Sequence, residues 1–130
     1  MPLDIKITKG ANPKAIIVAL TGSLDTATSP ELEKQLTPAL GKSVADVAFD
    51  LTGLKFISSA GLRVFQSARK TVKDRGGQAS FVNMQPQIKQ VFEIIKALPG
   101  VAVFQNVEEL DRYLAARQRA VIEKKPLTDD

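Results

Sequence analysis

The chain has 130 residues, 44% of them hydrophobic and 25% charged, with a formal net charge of +4 and a sequence pI near 9.5. That length holds one domain with one core, and the balance is that of a soluble globular chain, not a disordered or membrane one. Cysteine and histidine are both missing, which removes disulfides, thiolate chemistry, Ser-His and Cys-His catalysis and the usual zinc sites.

Leu3, Ile5 and Ile7 alternate with Asp4, Lys6 and Thr8, which predicts a half-buried strand. The opening MPLDIKITKG thus lacks the apolar stretch of a secretory signal, and the chain is expected in the cytoplasm. Gly10, Asn12 and Pro13 mark a turn. Residues 15–20, AIIVAL, form the longest apolar run and predict a central strand antiparallel to the first. The run is far short of the roughly 20 residues a bilayer requires. Ser29 is the expected N-cap of a helix with Pro30 at its first position and Glu31 and Glu33 at its positive end. Leu32, Leu36 and Leu40 supply that helix's apolar stripe, and Pro38 is expected to distort its last turn.

A strand is predicted over 44–51, broken by Thr52-Gly53, with residues 54–57 leading into Ser58-Ser59. A helix follows from Ser59 or Ala60 to about Arg75, closed by Gly76-Gly77. Residues 78–82 predict a short strand, and Pro86 opens a helix with Ile88, Val91, Phe92 and Ile95 on one face. Pro99-Gly100 should stop it, 101–104 reads as a last strand, and Asn106 should cap a helix carrying Val107, Leu110 and Leu114. Past about Arg119 the pattern fades. The alternation predicts a single α/β domain over 1–117, with a mixed sheet begun by the antiparallel pair. Residues 118–130 read as a charged C-terminal tail.

The stretch FISSAGLRVF, residues 56–65, sets two serines at a strand-to-helix junction. One reading is plain capping, in which Ser58 satisfies a free N–H and stabilises the helix by about 1 kcal/mol. The other makes Ser59 a displayed hydroxyl. Arg63, Gln66, Ser67 and Lys70 follow it at spacings of four, seven, eight and eleven, forming one exposed polar stripe. Leu62, Phe65 and Val72, with Val64 and Ala68 beside them, face the core. Ala60 and Gly61 keep the turn slim enough for another protein's active site to approach. A phosphate on Ser59 would add about −1.5 to −2 charges, which the positive helix end tolerates and a partner packed on the stripe does not. Residues alone leave switch and cap about even.

Catalytic alternatives are weaker. A nucleophilic serine on an α/β-hydrolase scaffold requires Gly-x-Ser-x-Gly and a histidine, and no phosphate loop with its lysine occurs. A Ser-Lys or carboxylate enzyme stays open. The basic cluster over 112–125 reads as a solvated helix, because with only 5% aromatics there are few platforms for stacked bases.

LTGSLD, DLTGLKFISSAGLRVF and VFEIIKALPGVAVF together resemble the STAS family, specifically the bacterial anti-sigma factor antagonists, over about residues 3–114. The resemblance implies a mixed four- to five-stranded sheet with helices packed largely on one face. It implies a non-enzymatic protein that binds an anti-sigma factor serine/threonine kinase and so frees a sigma factor. The kinase, using its own ATP, would phosphorylate the antagonist, and a metal-dependent serine/threonine phosphatase would reset it. No cofactor, nucleic acid or membrane is implied for this chain. The family motif is Asp-Ser-Ser-Gly, with the first serine as acceptor. Aligning its glycine with Gly61 makes Ser59 the acceptor, with Ser58 at the aspartate position and Ala60 at the second serine. Ser58 stays as a competing acceptor. Asp25 matches the family's loop aspartate beside the acceptor, although a turn-former bonded to its own backbone explains it too. The implied contact surface is Asp25, Thr26, Ser58, Gly61, Leu62, Arg63, Gln66 and Lys70. A STAS adaptor in a stressosome-like, secretion or motility pathway is the nearest rival, followed by a nucleic-acid binder and a hydrolase.

Overall fold

The computed structural model describes residues 2–97 and 107–123. The alternating N-terminal residues form β1 (Leu3–Lys9), which pairs antiparallel with β2 (Ala15–Leu24). Helix α1 (Ser29–Leu40) carries the chain to β3 (Asp46–Ile57), and α2 (Ser59–Asp74) carries it to β4 (Gln78–Val82). Helices α3 (Pro86–Ala97) and α4 (Val107–Ile122) follow. The sheet order is β1-β2-β3-β4, with β2, β3 and β4 parallel. The predicted strand over 101–104, and the signals at Pro99, Gly100 and Asn106, lie outside the described residues.

Register explains why the helices cover one face. Ile5 opposes Leu20, Ile7 opposes Val18, Val18 opposes Phe49 and Phe49 opposes Phe81. These side chains point one way and pack under the helices. The opposite face carries Lys6, Asp50 and Ser80 and leaves Ile17 and Val82 exposed at 36% and 40%. Four phenylalanines tie the layers together: Phe49 and Phe81 from the sheet, Phe65 from α2 and Phe92 from α3. Their centroids are 4.8 Å apart for Phe49–Phe65 and 5.2 Å for Phe81–Phe92, within the range for favourable ring pairs.

Local expectations are corrected at several points. β3 does not break at Thr52-Gly53 but runs on to Ile57, because register shifts against β2, between Ala19 and Thr21 and again between Gly22 and Ser23, take up extra residues of β3 and keep the two strands paired. Thr28, not Ser29, is the N-cap of α1, and the buried Ser29 hydroxyl has no partner. Pro38 removes one helical hydrogen bond, yet α1 continues through Leu40. Its C-terminal carbonyls are held from outside, by the Arg75 guanidinium donating to Leu40 O (3.0 Å), Val44 O (2.7 Å) and Gly41 O. Helix α4 runs to Ile122 with Gln118 fully buried, so it packs past position 117, where the sequence predicts the tail to begin.

The last half of β3 overhangs its neighbour. β4 pairs only with residues 46–50, and on that side the described residues offer 51–57 no strand partner. Glutamines take the place of a strand. Gln85 donates to Thr52 O (2.7 Å) and Gln87 to Lys55 O (3.0 Å). Gln118 serves Ile57 twice, its Oε1 accepting from the N–H (2.9 Å) and its Nε2 donating to the carbonyl (2.8 Å). Buried backbone groups are thus satisfied without a ladder.

Candidate functional site at the start of helix α2

β2 and β3 end side by side, Leu24 opposite Ile57, and Ser58 N–H donates to Leu24 O at 2.9 Å. Both following loops therefore leave the carboxyl end of the parallel strands, where open α/β sheets place their sites. Ser58 is extended (φ −105°, ψ 176°), and its carbonyl accepts from Leu62 N–H at 3.0 Å, which starts α2. Gly61 is required by internal packing: a Cβ there would stand 2.7 Å from Leu24 Cγ and 3.0 Å from Ile57 Cγ1. Its slimness serves the chain's own strands.

Neither serine behaves as a simple cap. Ser58 occupies the N-cap position, but its side chain makes no capping bond and its buried hydroxyl has no partner. The cap comes from α4. Asp111 Oδ1 accepts from Ser59 N–H at 2.8 Å, and Asp111 Oδ2 accepts from Ser59 Oγ at 3.1 Å. The carboxylate thereby satisfies a free donor at the positive end of α2. Ser59 is only 7% exposed. The expected ridge exists, with Arg63, Gln66, Ser67 and Lys70 exposed, but its first member lies under α4. Sequence patterning within α2 cannot register a helix arriving from 52 residues away.

The other candidates divide by burial. Thr26, Arg63, Gln66 and Lys70 are exposed and Asp25 is half-buried. Ser58, Gly61 and Leu62, expected on the contact surface, are buried against the chain's own core instead. Asp25 organises its loop: Oδ1 accepts from the N–H groups of Ala27 and Thr28, both at 3.0 Å, and the Asp25 N–H donates to Thr28 Oγ1 at 2.9 Å. Thr26 and Arg63 line an open groove of about 580 Å³ between α1 and α2, with Pro30, Lys34 and Ala60. Among the described residues no group of three His, Cys, Asp or Glu is placed to hold a metal ion. No described helix is long and apolar enough to cross a membrane.

Asp111 and Gln118 escape sequence reasoning. The available signal is weak: both lie at helical spacing with Leu114 on the face of α4 that Leu110 and Leu114 bury. A polar residue on such a stripe calls for a buried partner.

A mixed sheet with helices on one face, and a serine at the start of the helix that follows its central parallel strand, defines a small α/β domain architecture. The chain matches the STAS domain family across residues 4–110, and it belongs to that family. BtrV of Bordetella bronchiseptica, provisionally named an anti-sigma factor antagonist, is 32% identical over 90 residues, 69% of this chain and 78% of that one. An anti-sigma-B factor antagonist of Staphylococcus aureus is 27% identical over 92 residues, 71% of this chain and 85% of that one. Among solved structures, the unphosphorylated form of the anti-sigma factor antagonist SpoIIAA superposes with a TM-score of 0.59 at 16% identity, covering 70% of this chain and 83% of that one. SpoIIAA of Bacillus in its phosphorylated form gives the same score and identity over 70% and 82%. At that identity the likeness is one of fold, and the expected STAS architecture is present.

Proposed function

We propose that this chain is an anti-sigma factor antagonist, a binding protein that engages an anti-sigma factor serine/threonine kinase, frees a sigma factor, and is switched off by phosphorylation of Ser59. A metal-dependent phosphatase resets it. The observation that carries the reading is the place of Ser59: first residue of α2, beside the loop of Asp25 and Thr26, at the head of the exposed Arg63–Gln66–Lys70 ridge. The curated relatives named as antagonists support it. The partner surface is then Asp25, Thr26, Arg63, Gln66 and Lys70, with Ser59 reached once Asp111 lets go.

The switch follows from charge. Unphosphorylated, the helix end presents a neutral hydroxyl once Asp111 has released it. A phosphate turns that spot into a dianion, and burying unpaired charge in an interface costs several kcal/mol, roughly enough to dissociate a moderate complex. Incubation of the chain with ATP and the kinase encoded beside its gene tests the proposal. Phosphate should enter the wild type and Ser58→Ala but not Ser59→Ala, while Ser59→Ala still binds the kinase. Binding without any phosphate incorporation would leave an adaptor, not a phosphoswitch.

A further inference from the structure

We propose that Asp111 is a latch on the acceptor: α4 docked over α2 and a phosphate on Ser59 exclude one another. The proposal deepens the reading above and rests on it for the identity of the acceptor.

Three observations converge. First, both carboxylate oxygens of Asp111 serve one residue, Oδ1 the Ser59 N–H and Oδ2 the Ser59 hydroxyl. Oδ1 takes the backbone donor at the positive helix end that a phosphate on the same serine would use, and Oδ2 takes the hydroxyl that would carry it. Second, the hydroxyl proton that holds Oδ2 is the one phosphorylation removes. Ser59 Oγ bonds to the γ-phosphorus of kinase-bound ATP, the bridge to ADP breaks, and the proton passes to a base of the kinase. A donor facing Asp111 becomes a dianion facing Asp111, with no proton between them. Third, the 3.1 Å between Ser59 Oγ and Asp111 Oδ2 puts a phosphoryl group on that oxygen directly against the carboxylate while α4 stays in place, where two like charges repel most strongly.

The rest of α4 sets the strength of the latch. Leu110 and Leu114 are buried, and Gln118 satisfies the N–H and carbonyl of Ile57. Docking is therefore favoured in the unmodified chain, and Ser59, at 7% exposure, is closed to a kinase until α4 moves. The coupling runs both ways: whatever loosens α4 opens Ser59 to a kinase, and a phosphate on Ser59 loosens α4. A partner that binds α4 when it is free would thus read the state of Ser59 at a distance from the contact ridge.

The test needs no kinase. Phosphoserine is inserted at position 59 of the full chain during translation, and amide hydrogen exchange is compared with the unmodified chain. Amides of α4 should exchange at least about tenfold faster while those of β2 and β3 keep their protection. Asp111→Asn in the phosphoserine chain should restore most of the α4 protection, because a carboxamide accepts from the Ser59 N–H and donates to the phosphate. Unchanged α4 exchange in the phosphoserine chain would overturn the latch. So would fast α4 exchange that persists with Asp111→Asn, or loss of protection spreading through β2 and β3. A kinase that never labels Ser59 would instead overturn the function and leave this result standing.

Discussion

Asp111 on α4 grips Ser59 on α2 at two points, backbone N–H and hydroxyl, across 52 residues of chain. The contact joins the last described helix to the first turn of the helix that carries the proposed acceptor. It also makes the start of α2 depend on tertiary structure, because neither serine supplies a local cap. Asp111→Ala should therefore lower stability by about 1–2 kcal/mol, the usual cost of losing a helix cap. Urea unfolding followed by circular dichroism measures it.

Gln118 should matter more. Gln118→Leu keeps a side chain of similar bulk on the buried face of α4 but strips the partners from Ile57 N–H and Ile57 O. Each buried backbone group left unpaired costs about 1–3 kcal/mol, so for the two groups the expected loss is about 2–6 kcal/mol. Denaturant titration gives the magnitude, and faster exchange of the Ile57 amide would locate it.

Asp50 predicts an acid-side effect. Hydrogen bonds from the Thr52 hydroxyl, the Thr52 N–H and the Asn83 side chain hold its carboxyl below the ordinary value, against a smaller opposing effect of burial. A depressed pKa means the folded state favours the ionised form. The resulting stabilisation is present above the unfolded-state pKa and disappears as pH falls through the folded one. The stability gap between wild type and Asp50→Ala should therefore be widest near neutral pH and shrink on acidification. Melting temperatures taken across that range check it, and a gap that grows toward acid would contradict the assignment.

Arg63 and Lys70 are both exposed on the ridge of α2. Reversing both charges, with Arg63→Glu and Lys70→Glu together, should weaken kinase binding by at least about tenfold and change stability by less than about 0.5 kcal/mol. Calorimetric titration beside thermal unfolding separates the two effects.

Much of this was legible from periodicity. Alternation placed β1, and the run at 15–20 placed β2. The core side of α2, with Leu62, Phe65, Ala68 and Val72 buried, followed from helical spacing. Continuity of β3 through Thr52-Gly53 did not follow, since it depends on extra residues of β3 being accommodated in its pairing with β2. Nor did the burial of Ser59. The partners that cover it, and the glutamine that finishes β3, reach across 52 and 61 residues, a range at which a single sequence carries no pairing signal. The proposed acceptor position rests on a motif resemblance, whereas the carboxylate that grips Ser59 emerged only from tertiary contacts.

Mapping phosphate by mass spectrometry on the full chain, after incubation with ATP and the neighbouring kinase, addresses the central claim most directly. A single phosphate on Ser59, lost in Ser59→Ala and kept in Ser58→Ala, is the predicted result. Phosphate found on Ser58, or none on a chain that still binds the kinase, would contradict it.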